Sequence, residues 1–445
     1  MEKLYQYLWK SRMFGRTLTD CDGRSIEVID PGRLNTDSGP DFFNSKIRAD
    51  GTEWAGNIEI HVKASDWHRH GHQNDPAYDS IILHVVGVAD QRIHRSDGSL
   101  IPQVVITMPE NFFRTFSTLQ TEADTIRCAS AIPDIPSITA TDWLETLAIE
   151  RIQAKSDKIK ETYAACGNDW EQTCFITLAR GLGFGLNGDP FEMLARSIPL
   201  KILHHHSDTP HQLQAILFGQ AAMLDSSLHI FDEYYQLLCR EYYFLARKYG
   251  LRPMRAGLWK YARTRPQNFP HRRLAFLSKA CEGGFALFSK LIAAKGDELE
   301  SRKLFDWHIE GYWQSHFSFD TEIKTQSDTL SQASITLLLI NVVAPLLYTY
   351  GAMRGNPELA EKGLDLLASL PAESNAIIRE WQRCGLSASD AMRSQALIHL
   401  RKEYCDRRKC LYCRFGHQLL SYSAGRPSLS RNPRNFRNSS PSSVL

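Results

Sequence analysis

The clearest alternation in the chain runs over residues 57–63. Ile58, Ile60 and Val62 take one parity, and Asn57, Glu59, His61 and Lys63 the other. A strand here turns an apolar row toward a core and an ionisable row away from it. Ahead of it, Leu4, Tyr5, Leu8, Trp9 and Met13 follow a helical period and predict an amphipathic helix over residues 2–13. Further strands are expected at about 24–30, 42–49, 55–64, 81–88 and 102–108, separated by stretches dense in Asp, Gly, Asn and Pro. From about residue 139 the period becomes helical. Thr141-Asp142 caps a run over about 143–163, and helices are expected at about 169–181, 188–203, 210–224, 228–249, 256–264, 271–294, 299–310, 330–351, 357–369, 373–384 and 387–404. No repeat period runs through them.

These elements predict an α+β protein: a mixed sheet with flanking helices over residues 1–112, a linker over 113–138, and a larger all-α domain over 139–420 that ends in a cysteine cluster. Residues 421–445 are rich in Ser, Pro, Asn and Arg without a single acid, a composition expected to be disordered.

Composition changes this picture little. The 445 residues are 43% hydrophobic and 23% charged, with a net charge of +2, so no global field singles out nucleic acid or membrane, and basic signals must be local. The first residues lack the apolar core of a signal peptide, and the most apolar run, 335–347, is short and interrupted by Asn341 and Pro345. A buried helix rather than a membrane span is expected there. Seven of the ten cysteines are scattered singly, which suits reduced thiols and a cytoplasmic setting. Nothing in the pattern fixes an oligomeric state.

Candidate chemistry gathers in four places. Asp41 precedes the 42–49 strand, and Glu59 sits in its hairpin partner with His61 and Lys63 on the same face. Two hard oxygen donors with a basic neighbour are what a divalent ion needs to activate water; a solvated face of a half-exposed sheet would also present such a row. Next, Asp66-Trp67-His68-Arg69-His70-Gly71-His72, with Asp75 and Asp79 beyond, supplies imidazoles for a transition metal or a general base, or packs over the sheet edge. Third, Cys405-x4-Cys410-x2-Cys413 with His417 beyond it has the clustering of a zinc or iron–sulfur site; His417 is the nearest fourth ligand and Cys21 a remote one, and cysteines packed at a helix end give the same pattern. Around them, Arg401, Lys402, Arg407, Arg408, Lys409 and Arg414 face only Glu403 and Asp406, a possible phosphate patch. Fourth, residues 252–273 hold seven Lys/Arg and no acid, interleaved with aromatics. Lys260, Arg263, Arg265, Arg272 and Arg273 are the residues expected to meet phosphate, unless they pair with acidic helices nearby. Two further stretches read as decoys. The Gly183–Gly188 run follows a helix rather than a strand and suits a helix stop, and His204-His205-His206 suits a solvated helix end.

Pro40-Asp41 ahead of one strand and Glu59 in the next resemble the PD-(D/E)XK nuclease superfamily, whose core is a helix followed by three strands. That resemblance implies Mg²⁺ or Mn²⁺ held by Asp41 and Glu59, with Lys63 orienting the attacking water and His61 as an accessory group. The chain departs from the acid-x-Lys triplet, since His61 stands where the lysine or second acid belongs. Glu2 is the acid available on the first helix, a position some members use. The Trp-His cluster is loosely similar to that of mismatch-repair endonucleases. The cysteine layout resembles CRISPR-associated and recombination nucleases that bind a [4Fe–4S] cluster, which implies Cys21 as partner of the trio. Ser38-Gly39-Pro40-Asp41-Phe42, Gly56-Asn57-Ile58-Glu59-Ile60-His61-Val62, Asp75-Pro76-Ala77-Tyr78-Asp79, the Arg263–Pro270 stretch and the Cys410-x2-Cys413 end are together similar to a bacterial family catalogued as a domain of unknown function, which implies no activity. The expectation is a metal-dependent nuclease acting on nucleic acid; the alternatives are a catalytically silent nucleic-acid-binding scaffold and a metal-dependent hydrolase of small molecules.

Overall fold

Leu4, Leu8 and Trp9 line one face of helix α1 (Glu2–Lys10) and share a core with Ile58 and Ile60 of the longest strand in the chain. That strand is β5 (Thr52–Lys63), central to a sheet of seven: β1 (Thr17–Thr19), β2 (Ser25–Asp30), β3 (Arg33–Leu34), β4 (Phe42–Ala49), β5, β6 (Ile81–Val88) and β7 (Gln103–Val105). The order is β1-β2-β4-β5-β6-β7, with β3 also on β4. Pairing is antiparallel up to β5 and parallel from β5 to β7. The computed structural model describes all residues except 16, 122–123, 226–231, 263, 265–267, 323–327 and 425–445.

The chain forms two units, Met1–Ala140 together with the segment from Lys402, and Thr141–Arg401. The result is a mixed α+β protein with an N-terminal mixed sheet and a larger helical part. The cysteine segment thus belongs to the sheet-bearing unit, whereas the sequence pattern places it at the end of the helical one. Chain order misleads here because the C-terminal helix Arg414–Ser423 returns to pack on α3 (Glu110–Thr121), with Leu420 joining Phe112 and Leu119 in the first core. Residues 421–423, expected in a disordered tail, complete that helix; the remainder of the tail lies outside the described residues.

The β4–β5 hairpin closes through Asp50 and Gly51, both at positive φ (49° and 79°), so pairing continues to Ala49 opposite Thr52. Parallel β5 and β6 need a crossover. Residues 64–80 supply it through α2 (Asp66–Arg69) and two 3₁₀ turns, His72–Asn74 and Pro76–Tyr78. Trp67 and Tyr78 bury themselves with Ala64, Ile81, Val86, Ile93 and Ile101 in a second, smaller core. The odd-numbered face of β5 therefore looks into this crossover.

In the helical unit, the helix expected at 256–264 is reduced to one 3₁₀ turn, Ala256–Leu258. The Asn187 side chain both donates to the Lys260 carbonyl and accepts from its N–H, at 2.9 Å each, and so holds the backbone out of a helix. The expected 271–294 helix breaks into Pro270–Cys281 and Leu287–Ala293 at Gly283 and Gly284, both at positive φ. Gln332–Arg354 is long and apolar enough to cross a membrane by length and composition, and 67% of its most apolar window is buried in the protein. His206, expected in a solvated terminus, is buried between Gln212 and Tyr249.

Candidate functional site

The site begins where β4 stops. Phe42 pairs with Ile58, and one step further the Ile60 N–H has no strand opposite. The Asp41 carboxylate takes that place: Ile60 N–H donates to Oδ2 at 3.0 Å, and Gln6 of α1 donates to Oδ1 at 2.8 Å. In return the Asp41 N–H donates to Glu59 Oε2 at 3.1 Å. Each carboxylate is thereby fixed by a backbone N–H, that of Ile60 for Asp41 and that of Asp41 for Glu59. The sequence placed these two residues together, and the structure brings them together.

Glu59 is 4% exposed, and its second oxygen, Oε1, lies 3.5 Å from His61 Nε2 and 3.2 Å from His72 Nε2. Neither acid has a Lys or Arg in contact among the described residues. Burial raises both carboxyl pKa values; the Glu59 charge adds to this at Asp41, and Glu2 adds to it at both. Two crowded, buried acids cannot both shed a proton cheaply without a cation between them.

The imidazoles form a connected set. His61 Nδ1 is 2.8 Å from His84 Nε2, His61 Nε2 is 3.1 Å from His70 Nδ1, and His84 Nδ1 is 3.4 Å from Gln103 Nε2. Glu59, His84 and Gln103 lie in register across β5, β6 and β7. The Gln103 amide also donates to the Gln91 carbonyl at 3.1 Å, which requires its NH₂ to face both partners. His84 Nδ1 then accepts, its Nε2–H donates to His61 Nδ1, and the His61 Nε2–H points toward Glu59 and His70. Burial pulls the His61 pKa down to about 2, reinforced by the neighbouring imidazoles, and His84 down to about 3. Both rings are neutral.

His72 stacks on Tyr78 with centroids 3.8 Å apart. Its Nε2 is buried with no aligned hydrogen bond despite its closeness to Glu59, and its pKa is lowered by burial. His61, His70 and His72 bring one nitrogen each within 4.8 Å of one another, the geometry of a candidate metal centre.

Other expected residues fall elsewhere. Lys63 lies on the strand face of Glu59 and His61, but it is exposed and its charge acts on Asp90 rather than on the carboxylates. Asp66, Asp75 and Asp79 bond locally, to the Lys63 N–H, the Ala77 N–H and the Ser96 hydroxyl. Arg272 and Arg273 are buried at 1% and 3% exposure. Arg272 donates to the Trp313 carbonyl, and Arg273 donates to Ser334 and lies over the Phe184 ring, so neither faces a ligand in solvent. Lys260 is exposed; Arg263 and Arg265 lie outside the described residues.

Cys405, Cys410 and Cys413 do line one cavity, and the fourth cysteine there is Cys128. His417 is occupied otherwise, with Nδ1 2.7 Å from the Tyr7 hydroxyl and Nε2 3.3 Å from Ser421 Oγ. Cys21 sits in the β1–β2 turn, hydrogen-bonded to Gln103 through its backbone, and does not line the cavity.

A family model described as Protein of unknown function (DUF2851) matches residues 2–376. The chain belongs to the DUF2851 family. The match contains the whole carboxylate–histidine set and Cys128, while the Cys405–Cys413 trio, whose Cys410-x2-Cys413 end counts among the stretches similar to the family, lies beyond it. No curated protein and no solved structure matches the chain.

Sequence reasoning missed Gln6, His84 and Gln103 in this site. His84 did leave a signal, as the one ionisable side chain inside the apolar run Ile81–Val88. Gln6 and Gln103 left none, because an amide in a helix or strand reads as solvent-facing.

Proposed function

We propose that this protein is a metal-dependent hydrolase that cleaves phosphodiester bonds in nucleic acid at the Asp41–Glu59–histidine centre. The observation that carries the reading is the pair of buried, backbone-braced carboxylates with no Lys or Arg in contact among the described residues, beside an imidazole whose Nε2 has no aligned hydrogen bond. A divalent cation supplies the missing charge and has donors at hand: Glu59 Oε1 and His72 Nε2, 3.2 Å apart, and His70, with a nitrogen within 4.8 Å of His72, while Asp41 adds its charge from beside Glu59. Mixed oxygen and nitrogen donors favour Mn²⁺ or Zn²⁺ over Mg²⁺. When bound, the ion would polarise a phosphoryl oxygen and lower the pKa of a water.

The remaining residues do protein work. Gln6 and the Ile60 N–H orient Asp41. Gln103, through His84, fixes the His61 tautomer so that its Nε2–H steadies Glu59 or His70, making His61 a positioning residue. His70, the exposed ring of this set, is the member through which a proton released by a metal-activated water would reach solvent. Lys63, which the superfamily resemblance casts as the water-orienting base, has no part in this scheme; the imidazoles take its place.

The helix-then-antiparallel-strand order and the convergence of Pro40-Asp41 with Glu59 support nucleic acid as substrate. One observation favours a second reading, hydrolysis of small phosphoesters: Arg272 and Arg273 are buried and lost to a nucleic-acid surface. Purified protein with Mn²⁺ should nick supercoiled plasmid, and Asp41→Asn should abolish this. Turnover of an aryl phosphodiester with no cleavage of DNA or RNA would select the small-molecule reading. Inactivity toward both, with Mn²⁺ shown to be bound, would leave the silent scaffold.

A further inference from the structure

We infer that Cys128, Cys405, Cys410 and Cys413 ligate an iron–sulfur cluster. The four side chains line one cavity with Leu119, Thr125, Arg127, Tyr404 and Gly416. They reach it from separate places: Cys128 from the start of the 3₁₀ turn Ala129–Asp134, Cys405 from the end of the π-turn Leu400–Cys405, and Cys410 and Cys413 from either end of the turn Cys410–Tyr412. The site is built. Arg127, next to Cys128, donates to the Cys405 carbonyl at 2.9 Å, a contact spanning 278 positions. The loop between Cys405 and Cys410 turns through Arg408 at φ 53°. At Gly416 a Cβ would sit 2.1 Å from the Cys410 carbonyl oxygen, so the helix that carries Cys413 at its start closes on the cysteine turn only because this residue is glycine.

The chemistry of the donors favours a cluster over a single ion. Zinc bound to four thiolates at about 2.3 Å draws their sulfurs to within about 4 Å of one another. Among the described residues no three of these thiols lie within 4.8 Å of one another; they surround a cavity instead. The trio has the C-x4-C-x2-C spacing of one class of iron–sulfur protein, with the fourth cysteine remote in sequence. A cluster with four thiolates is an anion; Arg127 adjoins Cys128, and Lys402, Arg408, Lys409 and Arg414 flank the trio in sequence with charge to balance it. That assigns the local basic excess a role other than binding phosphate.

Anaerobically purified full-length protein should be brown and contain two or four irons with matching acid-labile sulfide per chain. Cys128→Ser should lose nearly all of both, whereas Cys21→Ser and His417→Ala should retain them. Should Cys128→Ser fail to fold, alkylation mapping of the wild type decides: reconstitution with iron and sulfide should protect Cys128, Cys405, Cys410 and Cys413, leaving Cys21 and Cys384 reactive. Stoichiometric zinc without labile sulfide, or full iron content in Cys128→Ser, or reactivity of Cys128 in the reconstituted protein, would overturn the assignment.

Discussion

Asp41 and Glu59 carry the same pH risk for this protein. Their carboxyls titrate above the usual range because burial favours the protonated forms, helped by the Glu59 charge at Asp41 and by Glu2 at both. A raised folded-state pKa in an acid gives stability that is complete below the unfolded value and is lost as pH climbs through the folded one. Metal-free wild type should therefore lose thermal stability as pH rises beyond the ordinary carboxyl range of about 4, and Asp41→Asn should flatten that slope; an unchanged slope in thermal melts would separate these acids from the effect. His61 and His84 work in the other direction. Their lowered pKa values, about 2 and about 3, give stability that is present above the unfolded histidine value and lost as pH falls through and below it. Gln103→Leu tests the tautomer argument. It should reduce metal affinity or turnover about 10–100-fold and shift the pH profile of the reaction, and restoration of the wild-type profile by Gln103→Glu would argue against the amide's specific role.

At the scale of elements, β5 carries both jobs of its unit. Its even face is core: Ile60 is fully buried, and Ile60→Ala should cost about 2–5 kcal/mol in denaturant unfolding. Its odd face is the site. Because that division is a strict period of two, it is readable in the sequence; β6 falls on the apolar run Ile81–Val88, and β4, Phe42–Ala49, lies between the turn formers that bound it. What the period cannot show is which side chains arrive from other elements. Asp41 was legible from the Pro-Asp dipeptide, yet its clasp with the Ile60 N–H depends on where β4 ends. His70 and His72 were visible as a cluster, but only the crossover required by parallel pairing lays them over Glu59. Cys128 is one of seven scattered cysteines in sequence and gains meaning only because the C-terminal helix returns to α3. Gly416→Ala follows from that return. By pushing Cys410 away it should lower both the melting temperature and the iron content, whereas Gly98→Ala, in an open turn at positive φ, should leave the iron content unchanged.

The molecule as a whole is nearly neutral, with a net charge of +2, so affinity for a polyanion cannot come from a global field and must be local or reside in the metal centre. Burial of Arg272 and Arg273 strengthens that conclusion by turning two expected surface cations into struts of the helical core. Stability should also respond to the metal globally, because an ion bound only by the folded chain raises the unfolding free energy by about 2.7 kcal/mol at a hundredfold excess over its Kd. Mn²⁺ should accordingly raise the melting temperature of wild type and not of Glu59→Gln. The most direct test joins that shift to chemistry in one variant. Supercoiled plasmid is incubated with Mn²⁺ and either wild type or Glu59→Gln, at protein concentrations matched for folded material. The account predicts nicking by wild type that is abolished by chelation and absent in Glu59→Gln; nicking by Glu59→Gln at the wild-type rate would contradict it.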